Sequence, residues 1–147
     1  MAIKVLVVDD SAANRKLLEA RLQDEYFEVV GAASGAEAIT LAQRWSPDII
    51  LLDVLMPVMD GFNATQYIRE SLGLKDLPII AMTANAMASD RDACLAAGMN
   101  DYLSKPFKKS ELFDVISPWL RIEEATSEKD KNVKISRRYD LFYMPLN

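Results

Sequence analysis

Four short apolar runs in this chain each stop at a polar residue. Lys4-Val5-Leu6-Val7-Val8 stops at Asp9-Asp10, Ile49-Ile50-Leu51-Leu52 at Asp53, Pro78-Ile79-Ile80-Ala81-Met82 at Thr83, and Tyr102-Leu103-Ser104 at Lys105. Short runs rich in Val, Ile and Leu that alternate with longer segments of helical period read as βαβ units around a buried parallel sheet. Such sheets bind ligands outside the carboxyl ends of their strands, near the point where strand order reverses. As parallel strands, these runs would bring three carboxylates, a hydroxyl and an ammonium to one edge of one sheet, where chemistry is expected.

The alternation holds up to about residue 120. The spacing predicts a strand over 3–8 and a helix over 12–24, with Ser11 as N-cap and Leu17, Leu18, Ala20 and Leu22 as its apolar positions. A strand over 27–32 leads to a helix ending near 45, opened by the capping-box pattern Ser34-Gly35-Ala36-Glu37. Pro47 separates that helix from a strand over 48–53. A loop and a helix over 62–72 follow, then the strand 78–82, a helix over 88–97 stopped by Gly98, a strand over 101–104 and a helix over 110–120. Five such units with right-handed crossovers make a doubly wound α/β domain, a five-stranded parallel sheet with helices on both faces. The expected organisation is one domain over 1–120. A charged, turn-prone linker and tail over 121–147 follow, with no recognisable output domain.

The chain has 147 residues, 50% hydrophobic and 27% charged, which suits one such domain with a core that needs no disulfide or metal. Its one cysteine, Cys94, excludes an internal disulfide framework and reads as a small buried helix residue. A net charge of −5 argues against direct nucleic-acid binding. No apolar stretch approaches the roughly 20 residues of a membrane span, and Met1 runs directly into a strand, so a cytoplasmic location is expected. The absence of histidine removes His-based acid–base catalysis, His metal ligation and a phosphohistidine of the chain's own.

In the 2-1-3-4-5 strand order of flavodoxin-like sheets, the ends of the first and third strands are neighbours, so Asp9, Asp10 and Asp53 converge. Close carboxylates repel by roughly 4 kcal/mol per pair at an effective dielectric of about 20. The cluster therefore calls for a bound cation or for partial protonation. Oxygen donors without Cys or His favour Mg²⁺, with Mn²⁺ as the substitute, over zinc. Opposite them, the Thr83 hydroxyl, the Ala84 backbone N–H and the Lys105 ammonium are donors suited to a dianionic phosphoryl group. Asp53, between the metal acids and the donors, is the best nucleophile.

The residues that carry this pattern together resemble a response-regulator receiver domain, over about residues 3–120. They are Val7-Val8-Asp9-Asp10-Ser11, Leu51-Leu52-Asp53-Val54-Leu55-Met56-Pro57-Val58-Met59-Asp60-Gly61, Met82-Thr83-Ala84, Ala97-Gly98 and Tyr102-Leu103-Ser104-Lys105-Pro106-Phe107. The resemblance implies that Asp53 takes a phosphoryl group from a phosphohistidine on a sensor histidine kinase or histidine phosphotransfer protein. It implies Mg²⁺ held by Asp10, Asp53 and the Leu55 backbone carbonyl, with Asp9 in support through water. It also implies a Lys105 that pairs with Asp53 ahead of a cis bond to Pro106. Thr83 and Tyr102 match the switch pair that alters the surface of the fourth helix, fifth strand and fifth helix for a downstream protein or output domain. Asn14, Arg15, Pro106 and Phe107 match partner-docking positions, and Leu55 and Asn85 the positions that tune dephosphorylation. On this resemblance the chain is a signalling domain, catalysing only its own phosphorylation and dephosphorylation.

Three other readings are weaker. A haloacid-dehalogenase-type enzyme would want a second acid two residues after its nucleophile, and Asp53-Val54-Leu55 lacks it. A flavodoxin-like nucleotide binder would want a Ser/Thr/Gly-rich phosphate loop where Asp9-Asp10 stands. An unphosphorylated scaffold that binds partners constitutively is the remaining alternative, although every chemical position is filled.

Overall fold

In the computed structural model the described residues are 2–56, 59–84 and 88–120, with backbone only for 88–90. The linker and tail expected over 121–147, together with Asn85, Pro57 and Val58, lie outside them. Five parallel strands form one sheet: β1 Lys4–Val8, β2 Glu28–Ala32, β3 Ile49–Asp53, β4 Ile79–Thr83 and β5 Asp101–Ser104, in the order 2-1-3-4-5. The register pairs Val8 with Ala32 and Leu52, Asp53 with Met82, and Thr83 with Ser104, so the expected polar residues leave the sheet at one edge.

Among the described residues five α-helices cover the two faces. They are α1 Ala12–Gln23, α2 Gly35–Arg44, α3 Gly61–Gln66, α4 Ala88–Ala96 and α5 Lys109–Ile116. The central strands β1, β3 and β4 are apolar on both sides, and alternation along the sheet divides the core in two. Val5, Val7, Ile49, Leu51, Ile80, Met82 and Leu103 face Leu18 and Leu22 of α1 and Leu112, Phe113 and Ile116 of α5. Leu6, Val8, Ile50, Leu52, Ile79 and Ala81 face Ala38 and Ala42 of α2, Ala64 of α3 and Cys94 of α4. Cys94 is buried, as its helical setting led us to expect.

The helix starts obey local chemistry. Ser11 caps α1 by accepting from Asn14 N–H, and Ser34 caps α2 by accepting from Glu37 N–H. The Glu37 carboxylate takes the N–H of Ala33, one residue before the cap that a capping box would use. Gly98 stops α4 with a φ of +107, a conformation costly for any residue with a Cβ.

Two helices are shorter than the spacing predicted. Before Pro118, whose ring nitrogen has no proton to give, α5 ends and Ser117–Leu120 continue as a 3₁₀ turn, with Ser117 Oγ donating to the Phe113 carbonyl. The expected helix over 62–72 loosens after Gln66 into a π-helical turn, Tyr67–Ser71. From that turn Arg69 donates to the carbonyls of Gly98 (2.9 Å), Leu74 (2.7 Å) and Leu77 (2.7 Å) and to Asn100 Oδ1 (2.8 Å), tying together the loops that enter β4 and β5. Leu17, expected among the buried positions of α1, is 55% exposed, and only Leu18 and Leu22 of that helix are buried.

Candidate functional site

The end of β1 is held from every side. Asp9 is buried, and its N–H donates to the Ala32 carbonyl of β2 at 3.1 Å. Its Oδ1 accepts from Ser11 N–H at 2.9 Å, its Oδ2 accepts from Lys105 Nζ at 3.2 Å, and its carbonyl accepts from Arg15 Nη1 at 2.7 Å. Asp10, the next residue, is exposed. Asp53 closes β3, and its Oδ1 accepts from Leu55 N–H at 3.2 Å and lies 3.6 Å from Lys105 Nζ. The predicted Lys105–Asp53 pair is present, but the ammonium sits closer to Asp9.

Each of the three carboxylates offers an oxygen within 4.8 Å of those of the others. The Asp53 carboxyl is raised from 3.8 to about 6: burial is the largest cause, Lys105 opposes it, Asp9 adds to it, the Leu55 N–H opposes it and Asp10 adds the least. A carboxylate held out of its usual range by burial and like charge is suited to a divalent cation, which would relieve both. The donor set of carboxylate oxygens fits a hard ion. Asp9 already has a donor on each carboxylate oxygen, which suits a supporting place in such a site, whereas Asp10 and Asp53 are better placed as direct ligands.

The facing donors come from β4 and β5. Thr83 ends β4, half-buried, and its carbonyl accepts from Lys105 N–H at 2.7 Å, so one backbone bridge joins the two candidate residues. Ala84 follows at the exposed edge, and the Lys105–Pro106 peptide bond is cis. Tyr102 is half-buried on the face shared by α2, α3 and α4, and the Arg91 guanidinium of α4 lies 5.8 Å from its ring centroid. That places Tyr102 between β5 and α4, on the surface expected to switch.

Beside the carboxylates a groove of about 430 Å³ runs between α1 and the β5–α5 connection, with Asp9 and Lys105 at one end and Asn14, Leu17, Pro106 and Phe107 along it. Asn14 and Pro106 are exposed there, and the unburied Leu17 forms part of the groove wall. Arg15 is different, since it is half-buried and its guanidinium is already committed to Asp9. A second cavity, of about 290 Å³ and lined by Ser46, Pro47, Leu74 and Leu77, lies at the opposite end of the strands and contains none of the site residues.

Sequence reasoning gave no role to Gly61, which stands directly behind the site. Its N–H donates to the Val54 carbonyl at 2.9 Å, and a Cβ there would come within 2.8 Å of the Asp53 carbonyl oxygen. The signal for it was an Asp-Gly pair opening a helix just after the loop that follows Asp53, which reads as a cap rather than as a close approach.

Comparison with known proteins gives a consistent result. The family model for the response regulator receiver domain matches residues 5–117. Over 138 residues, 94% of this chain, the sequence is 38% identical to the response regulator PleD of Caulobacter vibrioides, of which the match spans 30%. It is 41% identical over 121 residues, 80% of this chain, to the sensor protein GacS of Pseudomonas syringae, spanning 13% of that protein. Among solved structures, the receiver domain of the sensor histidine kinase PA1611 of Pseudomonas aeruginosa superposes with a TM-score of 0.75 at 42% identity, covering 82% of this chain and 98% of that one. That structure has a magnesium ion coordinated in its active-site cleft. Among the described residues no helix is long and apolar enough to cross a membrane.

Proposed function

We propose, since the chain belongs to the response regulator receiver domain family of two-component signalling, that Asp53 is its phosphoryl acceptor. On this reading a phosphohistidine on a sensor kinase or phosphotransfer protein is the donor, and Mg²⁺, or Mn²⁺ in its place, the required ion. The observation that carries this reading is the set of three carboxylates with oxygens within 4.8 Å of one another, bridged by the Lys105 ammonium at 3.2 Å from Asp9 and 3.6 Å from Asp53. Such a set stores negative charge where an ion would enter and positive charge where a phosphoryl group would arrive.

In the reaction a carboxylate oxygen of Asp53 forms the new P–O bond as the P–N bond of the donor breaks, and the imidazole leaves with the bonding pair. Bound to Asp10, Asp53 and the Leu55 carbonyl, Mg²⁺ would neutralise charge on the transferring phosphoryl oxygens. Lys105 donates to the same group from the β5 side, and the Thr83 hydroxyl and Ala84 N–H from the β4 side. Asp9 keeps Lys105 and the β1 turn in place throughout. The domain thus catalyses its own phosphorylation and dephosphorylation and turns over no separate substrate, with Leu55 and Asn85 setting how long the phosphoryl group stays.

The output follows from β4. Movement of Thr83 toward the phosphoryl group opens space beside β5 that the Tyr102 ring can enter, altering the surface of α4, β5 and α5 for a downstream protein or output domain. A few kcal/mol of differential contact is enough to shift such a two-state surface. The donor docks along the groove at Asn14, Pro106 and Phe107, whose end is formed by Asp9 and Lys105, the two groups beside Asp53. The chain spans less than a third of PleD and less of GacS.

The test is intact mass after incubation with Mg²⁺ and acetyl phosphate. Wild type should gain one phosphoryl adduct and Asp53→Asn none. Equal labelling of the two would sink the assignment. No labelling of either, together with no binding of beryllofluoride and Mg²⁺, would favour a constitutive scaffold.

A further inference from the structure

We propose that Arg15 is a positioning residue of the carboxylate cluster, holding the Asp9–Asp10 turn through the Asp9 carbonyl, and that Gly31 of β2 leaves the space it needs to do so. The inference deepens the reading of Asp9, Asp10 and Asp53 as a Mg²⁺ site and rests on it.

Arg15 lies in the first turns of α1, and its Nη1 donates to the Asp9 carbonyl at 2.7 Å, a short charge-assisted bond. That carbonyl belongs to the peptide joining Asp9 to Asp10, so the bond fixes the plane from which the exposed Asp10 leaves the strand. On the other side, the Asp9 N–H is fixed to the Ala32 carbonyl. Among the described residues, none of the hydrogen bonds or ion pairs reaches the Asp10 side chain. Its placement comes from the backbone alone, which Arg15 holds at the Asp9 carbonyl and the Ser11 N–H holds from the far side through Asp9 Oδ1.

The path of Arg15 explains a glycine that needs no special backbone. Gly31 sits in regular strand, paired with Val7. A Cβ on Gly31 would come within 2.9 Å of Arg15 Cδ and 3.2 Å of Cγ, and would collide with Glu19 Oε2. Arg15 and Glu19 therefore cross β2 at Gly31, with Glu19 Oε2 4.0 Å from Arg15 Nε; a Cβ there would swing the Glu19 carboxylate aside and press on the Arg15 stem. A docking cation would be exposed and unbonded, whereas this one is half-buried and bonded within the domain.

Charge and geometry make opposite predictions for Arg15. A guanidinium near an acidic cluster repels an entering cation, so if charge were its whole effect, its removal would tighten Mg²⁺ binding. If Arg15 orients the turn, its removal loosens Asp10 and weakens binding. Partners that orient metal ligands are worth about ten- to a hundredfold in affinity.

The experiment is calorimetric titration of Mg²⁺ into the full chain at pH 8. It compares wild type, Arg15→Ala, Gly31→Ala and the double variant at a temperature where circular dichroism shows each to be folded. Both single variants should bind about tenfold or more weakly, and the double variant no more weakly than the worse single one, because Gly31→Ala acts by displacing Arg15. Gly31→Ala retains the guanidinium, so it tests position without changing charge, and it serves alone if Arg15→Ala does not fold. A merely structural role would lower the melting temperature and leave the affinity of the folded protein unchanged. Unchanged or tighter binding by either single variant would overturn the inference while leaving the metal site intact. Failure of the wild type to bind Mg²⁺ would overturn the site reading and this inference with it.

Discussion

Asp53→Asn should make the metal-free protein more stable above pH 6, although it removes the proposed phosphoryl acceptor. The Asp53 carboxyl is pushed from 3.8 to about 6, burial being the largest cause, ahead of the opposing pull of Lys105. Its folded pKa lies above its unfolded one, so the folded state holds the proton more tightly. The associated stability is complete below pH 3.8 and is lost as pH rises through about 6. A displacement of about two pH units corresponds to about 3 kcal/mol, the cost of the ionised form in the folded protein at pH 8. Asparagine is neutral at every pH and close in shape to the protonated acid, so it escapes that cost. In chelator at pH 8 the variant should melt roughly 10 °C above wild type for a domain of this size. The difference should shrink through pH 6 to 4 and vanish below. Thermal and urea unfolding followed by circular dichroism at pH 4, 6 and 8 measures it. Saturating Mg²⁺ should narrow or reverse the order, since binding at a hundred times Kd adds about 2.7 kcal/mol to wild type. A wild type as stable as the variant at pH 8 without metal would refute the reasoning and show that the Lys105 attraction outweighs burial and repulsion.

Three further outcomes follow from the same geometry. Mg²⁺ must displace the Asp53 proton at low pH, so its apparent affinity should fall about tenfold between pH 7 and pH 5, measured by calorimetry; a flat profile would contradict the raised Asp53 carboxyl. Gly61→Ala, whose Cβ would meet the Asp53 carbonyl oxygen at 2.8 Å, should cost about 1–3 kcal/mol in urea unfolding and slow labelling by acetyl phosphate, and an unaffected variant would mean that the backbone there yields freely. Thr83→Ala should still accept a phosphoryl group by intact mass, while the Tyr102 ring resonances stop responding to it; if they still respond, the coupling does not run through Thr83.

The fold was legible because β1, β3 and β4 are buried on both faces and so read as unbroken apolar runs, each ended by a residue that cannot be buried cheaply. That Asp9, Asp53, Thr83 and Lys105 come together could be read from position alone, because parallel strands deliver their carboxyl ends to one edge. Local chemistry marked Ser11, Ser34 and Gly98 as helix boundaries. What escaped depended on groups distant in sequence. Arg69 bonds to carbonyls that any residue carries, so nothing in the chain marks Leu74 or Leu77 as its partners. Gly31 and Gly61 are required by what approaches them, Arg15 in one case and the Asp53 backbone in the other. Leu17 read as core because helical period does not tell a buried stripe from a groove wall, and Arg15 read as a surface cation because its acceptor is a backbone carbonyl.

The central claim is that Asp53 carries the phosphoryl group, and chemical mapping tests it most directly. Borohydride reduction of an aspartyl phosphate gives homoserine, which peptide mass spectrometry locates to one residue. After acetyl phosphate and Mg²⁺ the account predicts homoserine at position 53 alone. Homoserine at Asp9, Asp10 or Asp60, or none in protein whose mass shows the adduct, would contradict it.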